Sequence, residues 1–390
     1  MNEYSATRRE FFGAAAGAGA AVGLALLAAS QVARAEGVPG KLKILVLGGT
    51  GQTGPQFVRQ ALAHGHQLTL FNRGNRTEDM FPEVELLVGD RFPENGDGLS
   101  ALEAAVKDGR QWDVVLDVWP HIPRLVEATA ELLKDNAERY MFVSSMSVYE
   151  DSSTKNQDEN AEVGSAPDAD NMEFTGQLFG PFKAECENRV RKIFPGKRHT
   201  IYRPGLIVGP RDFSYRGGYW PVRVRKGGEV LAPGDGSTPT QIVDSRDLTA
   251  FELRCMEQGT HGTFNICGPH PNNPLTMSGL MQACKNATDS DATFTWVPAD
   301  FLGEHGVGPW MQMPCWLPGE GEYAGFGSRN IDKAVAAGLT FRPLHETILD
   351  TLTWFDDLSE EGRNSVQQRA GISEEKEAEV LKAWHDRDEG

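Results

Sequence analysis

A buried strand runs into a glycine-rich turn and a helix, further strands then alternate with helices, and the alternation fades in the second half of the chain. Together these predict an α/β fold: a doubly wound parallel sheet with a smaller C-terminal lobe. Residues 42–47, Leu42-Lys43-Ile44-Leu45-Val46-Leu47, are apolar and rich in branched side chains, as suits a strand covered on both faces. Gly48, Gly49, Gly51 and Gly54 follow, and residues 55–62 have helical period. This order sets bare N–H groups and a helix dipole where a diphosphate can lie. A side chain at Gly48 or Gly51 would collide with the turn or the ligand, and one at Gly54 would push the helix off the strand. Gly48, Gly49, Thr50, Gly51, Gln52, Thr53 and Gly54 are therefore the candidate dinucleotide cradle.

Residues 67–71 read as a second strand ending at Asn72-Arg73-Gly74. An acid at about this distance from the turn would hold an adenosine ribose. Asn72 stands there instead and can still bond the ribose, while Arg73 and Arg76 suit a 2′-phosphate. The cofactor reads as NAD or NADP, with the arginines leaning toward NADP. Residues 84–90 form a third strand, with Asp90 placed to accept from an adenine amine. A helix over 99–107, a fourth strand over 112–118, a helix over 124–136 and a fifth strand over 139–143 follow. His121 lies past the fourth strand, on the side where open α/β sheets bind ligands. Residues 151–170 are polar and acidic, a surface loop and candidate lid. A helix over 179–193 and a sixth strand over 199–203 complete the alternation. The charged stretch 373–385 reads as a solvated docking helix.

The 390 residues carry a formal net charge of −17, which disfavours nucleic-acid binding. Thr7-Arg8-Arg9-Glu10-Phe11-Phe12, an Ala/Gly/Leu run and Ala33-Arg34-Ala35 together look like a twin-arginine signal with a cleavage site. The expected division is a signal peptide over 1–35, a dinucleotide-binding domain over 41–210, a substrate lobe over 211–355 and a charged helical tail over 356–390. Export by the twin-arginine machinery, to the periplasm or otherwise out of the cell's interior, with no stable membrane anchor, is the localisation this implies. That route carries folded proteins, so a nucleotide loaded inside would have to be held tightly outside. Five cysteines without a C-x-x-C predict buried thiols and no metal site.

Several stretches resemble the extended short-chain dehydrogenase/reductase superfamily, the NAD-dependent epimerase/dehydratase group. They are Gly48-x-x-Gly51-x-x-Gly54, Gly89-Asp90, Val143-Ser144-Ser145-x-Ser147-Val148-Tyr149, Lys183 with Glu187, and Arg203-Pro204-Gly205-x-x-x-Gly209-Pro210. The asparagine–arginine after the second strand is more similar to atypical members. The resemblance implies a Rossmann domain in which Ser145 orients the reacting oxygen, Lys183 binds the nicotinamide ribose and Pro204 contacts the cofactor. It also implies dimerisation through the helix carrying Lys183. The family's proton-transferring tyrosine falls at Phe179, which has no proton to give. Either another group supplies it (Tyr149, Tyr202, His121 or a water held by Ser145), or the chain binds a nucleotide without that chemistry.

The second half is rich in aromatic residues: Tyr215, Tyr219, Trp220, Trp296, Trp310, Trp316 and Phe326. The Gly- and Pro-rich run 308–319 suggests a pocket wall. Arg211, Arg216 and Arg223 are candidates to receive a phosphate or carboxylate. The expected function is an NAD(P)-dependent oxidoreductase or epimerase acting by hydride transfer on a small sugar-like or ring substrate. The alternative is a non-catalytic NAD(P)-binding sensor or partner protein.

Overall fold

The computed structural model describes residues 40–75, 80–118 and 121–387. The signal segment and Arg76 lie outside the described residues. One compact unit begins at Leu42 and takes in the rest of the chain.

The sheet strands are β1 (Lys43–Leu47), β2 (Gln67–Asn72), β3 (Glu85–Val88), β4 (Trp112–Asp117), β5 (Ala137–Val143) and β6 (His199–Pro204). β7 (Leu206–Val208), β8 (Glu229–Pro233), β9 (Pro239–Thr240) and β10 (Ile242–Asp244) then build the lobe, and β11 (Gly262–Ile266) returns to the sheet. The order is β11-β6-β5-β4-β1-β2-β3, with every neighbouring pair parallel. Strand order reverses between β1 and β4, which opens a crevice at their carboxyl ends.

The pleat of β1 explains its continuous apolar run. Ile44 and Val46 join a layer with Phe57 and Val58 of the helix Gly54–Ala63 and with Leu248 and Phe251 of the helix Ser245–Gln258. Leu45 and Leu47 face the opposite layer, against Leu102, Val126, Ala130 and Val190. Each such buried side chain contributes roughly 1.5–3 kcal/mol.

Three departures from the sequence reading stand out. β11 is a seventh sheet strand, with Ile266 opposite Pro204; Gly262 and Asn265 interrupt its apolar pattern. The stretch 215–235, which lacks alternation, holds the helix Tyr219–Arg225 and β8. The tail is not a solvated helix. Val366, Val380 and Leu381 lie in the lobe's core with Trp220 and Val230. Glu377 is 5% exposed there, accepting from Arg223 Nε at 2.6 Å and from the Leu231 amide at 2.9 Å.

The loop read as a lid is anchored. The Asn156 amide donates to Ser328 O, the Gly325 amide to Ser152 O and the Asn330 amide to Gln157 O, each at 2.9 Å. Tyr215, Tyr219, Trp220 and Trp316 are core residues. Trp310 and Phe326 meet edge-on at 5.2 Å and line a narrow cleft with Thr238, Gln241 and Tyr323. All five cysteines are buried free thiols. Among the described residues no helix is long and apolar enough to cross a membrane.

Candidate active site

The glycine turn sits at the carboxyl end of β1. Gly48 and Gly49 have φ of +121° and +93°, a region that suits glycine alone. A Cβ on Gly54 would stand 2.4 Å from the Gly49 carbonyl carbon, so this position is set by the fold. Gly51 differs: a Cβ there meets nothing within 4 Å. The turn does not demand glycine at 51, and the collision expected with the turn is absent. The space above Gly51 is open, beside the start of the helix Gly54–Ala63. That opening fits a diphosphate.

The turn is latched to the lobe. Gln52 Nε2 donates to Ile207 O at 3.0 Å, and Arg211 reaches Thr50 O and Gly51 O at 3.4 and 3.5 Å. Arg211 thus brings a positive charge to the cradle, with its own backbone at φ +70°. Sequence spacing gave no sign of this contact, because 160 residues separate the two ends. Thr53 precedes the helix without a side-chain cap; its carbonyl accepts from the Gln56 and Phe57 amides.

At the adenosine end, Asn72 shapes the turn. Its Nδ2 donates to Gly48 O at 2.8 Å, and its Oδ1 accepts from the Gly74 amide at 2.9 Å. Arg73 beside it is exposed. Asp90 accepts from the Phe92 amide at 3.0 Å and from Asn95 Nδ2 at 3.3 Å. Gly89 is required by packing, since a Cβ would stand 2.5 Å from Gly98 O.

At the other end of the crevice, Ser145 follows β5 and caps a short turn, its Oγ accepting from the Ser147 amide at 3.1 Å. The helix Phe179–Ile193 packs directly on this turn: a Cβ on Gly180 would stand 2.0 Å from Ser147 O. That contact fixes Phe179 and Lys183 relative to Ser145. A glycine in a helix's first turn is the sequence mark of such a close approach.

Lys183 is 5% exposed. Its Nζ donates to Val143 O at 2.5 Å and lies 4.2 Å from the centre of the Phe142 ring. Burial pulls its pKa below the usual lysine value. One turn on, Glu187 is fully buried and accepts from Arg203 Nε (3.0 Å) and Nη2 (2.7 Å) and from Ser144 Oγ (2.5 Å). Burial is the largest influence and opposes its charge, but Arg203, Arg191 and Ser144 together outweigh it and hold its pKa below the ordinary range. This pair sets the register of the helix against β5 and β6. Pro204 ends β6, buried.

The candidates for the missing phenol occupy different places. Tyr202 lies in the apolar layer, its hydroxyl at Met141 Sδ (3.2 Å) and Glu252 O (3.4 Å), away from solvent. Tyr149 is 5% exposed; its hydroxyl donates to Asn265 Oδ1 at 2.5 Å, and its ring lies between Arg203 and Arg329. Burial raises its pKa. His121 is half-buried, its ring 4.1 Å from that of Phe174 and 6.0 Å from that of Phe179.

Elsewhere, His64 and His66 converge on Glu257. The Leu42 amide donates to His66 Nδ1 at 3.2 Å, so His66 Nε2 carries the ring proton and donates to Glu257. A nitrogen that donates cannot ligate a metal, and the cluster is a hydrogen-bonded clamp.

A model of the NAD dependent epimerase/dehydratase family matches residues 44–267. The chain belongs to that family. The fold of the chain is that of the family. The chain is 27% identical over 259 residues to the chloroplast stem-loop binding protein of 41 kDa b of Arabidopsis thaliana, covering 63% of each. It therefore spans less than two thirds of that relative's length. It is 25% identical over 273 residues to a dTDP-4-dehydro-6-deoxy-D-allose reductase of Streptomyces sp, covering 62% of this chain and 80% of the relative. Its fold is similar to that of UDP-glucuronic acid 4-epimerase from Bacillus cereus in complex with NAD, at a TM-score of 0.55 and 15% identity over 80% of this chain and 98% of that one.

Proposed function

We propose that the chain is an exported, NAD-dependent epimerase-type enzyme that transfers hydride at a hydroxyl- or carbonyl-bearing carbon of a sugar-like substrate. The observation that carries this is the pair Gly51 and Gly54: one glycine demanded by the fold, the other opening onto space a diphosphate would fill. Bound there, the dinucleotide supplies a hydride acceptor and donor.

The chain's own residues divide the remaining work. The Gly48 amide is bonded to Phe71 O at 2.9 Å, so the turn from Gly49 to Gly54 holds the diphosphate, with Arg211 beside it. Asn72 and Arg73 hold the adenosine ribose, and Asp90 the adenine. An ammonium has three donors, so Lys183 can keep Val143 O and still bond the nicotinamide ribose. Ser145 orients the reacting oxygen. Phe179 excludes water but moves no proton. Two relatives named for sugar-nucleotide chemistry support the substrate class. The leader with Arg8 and Arg9 supports twin-arginine export to the periplasm. A redox-neutral cycle, in which one substrate is oxidised and then reduced, suits a compartment without cofactor supply.

The test is to denature the purified mature chain and assay released NAD(H) and NADP(H), then to follow bound reduced cofactor during incubation with keto-sugar nucleotides. About one NAD per chain and bleaching by one of the sugars are expected. Bound cofactor with no bleaching in wild type or Phe179→Tyr contradicts catalysis.

Phe179 itself favours a second reading, a non-catalytic NAD-binding sensor or partner protein. Stabilisation by NAD with turnover of no substrate would select it. One relative is named for stem-loop binding, but the charge of −17 works against RNA here.

A further inference from the structure

We propose that His121 is the proton-transfer group of this site. It takes the proton of a substrate hydroxyl while the carbon's hydride passes to NAD, and returns that proton to the carbonyl oxygen when the hydride comes back. The O–H and C–H bonds break as the C=O forms; NAD is the oxidant, and the imidazole becomes imidazolium. This rests on the NAD-enzyme reading above.

Four observations carry it. First, position: His121 begins four residues past β4, at the carboxyl edge of the sheet where β1 and β4 diverge. Second, proximity: its ring lies 6.0 Å from the ring at 179, where the family resemblance places a phenol, and 4.1 Å from Phe174. Third, access: His121 is half-buried, whereas Tyr149 is locked on Asn265 and Tyr202 lies in the core. Lys183, the other basic group at hand, is buried with its Nζ on Val143 O. Fourth, charge: burial, and then the Lys183 charge from the adjoining helix, depress the imidazole's pKa. The Phe174 and Phe179 rings packed against it carry no charge. A neutral imidazole at pH 7 is a competent base. Lys183 thereby does to an imidazole what the family's lysine is expected to do to a phenol.

The test reads the imidazole rather than turnover. The full mature chain is labelled with ¹⁵N-histidine and titrated by NMR, saturated first with NAD+ and then with NADH. His121→Gln assigns the resonance, and His121→Asn serves if that variant does not fold. The nicotinamide ring is cationic only when oxidised, so a neighbouring imidazolium is disfavoured beside NAD+. The His121 midpoint is expected to lie lower with NAD+ than with NADH, by roughly half a pH unit or more. Equal midpoints with both dinucleotides bound overturn the assignment of His121 while leaving the cofactor reading intact. Failure of either dinucleotide to bind overturns both.

Discussion

Phe179 decides the chemistry at the scale of single residues. With His121 as the proton carrier, His121→Gln lowers turnover by about 10²- to 10⁴-fold. Adding Phe179→Tyr in that background recovers at least about tenfold, because a phenol beside Lys183 supplies the lost proton. Steady-state rates on a UDP-hexose panel measure both. Glu252 offers a separate test on stability. It is 1% exposed, neither carboxyl oxygen has a hydrogen-bond partner, and burial pushes its pKa up to about 8. The folded protein therefore keeps a proton that the unfolded chain releases above its ordinary value of 4.5. The stability Glu252 contributes is full below that value and is lost as pH rises toward 8. Glu252→Leu should flatten the fall in melting temperature across this window and raise stability at pH 8 by a few kcal/mol, about what an unpaired buried carboxyl costs. An unchanged pH slope would count against it. At this scale the sequence showed which residue types were present and in what order. It did not show that Tyr149 is turned onto Asn265 or that Arg211 reaches the glycine turn, since both depend on contacts between distant segments.

The strand, turn and helix around Gly48 to Gly54 separate two reasons for a glycine. Gly54→Ala forces a Cβ against the Gly49 backbone and should cost about 1–3 kcal/mol or more, read as a lowered melting temperature. Gly51→Ala meets no protein atom, so stability should stay within about 0.5 kcal/mol of wild type, while NAD binding weakens at least about tenfold. Equal effects of the two substitutions on stability would contradict a ligand-imposed Gly51. Local elements like this one were legible because period and glycine placement act over a few residues. The helix Phe179–Ile193 was read to its ends for the same reason. β11 was not, since Gly262 and Asn265 break its apolar run and only pairing with β6 makes it a strand.

At the scale of the whole molecule, the tail and the surface charge make the predictions. Val366, Val380, Leu381 and the buried Glu377 complete the lobe's core, so truncation after Leu358 should cost several kcal/mol and promote aggregation, seen by calorimetry and light scattering. A truncated chain that melts with the full one would contradict this. The tail's few apolar positions among many charges read from the sequence as a solvated face, and only the lobe they cover shows otherwise. With a net charge of −17 the protein should shift no RNA stem-loop at physiological salt. The account's central claim, that this crevice holds a dinucleotide on the glycine turn, is tested most directly by calorimetric titration of cofactor-stripped protein with NAD. Saturation at one NAD per chain, with affinity at least about tenfold weaker in Gly51→Ala whose fold is intact, is the predicted result; no heat of binding to a folded wild-type chain would contradict it.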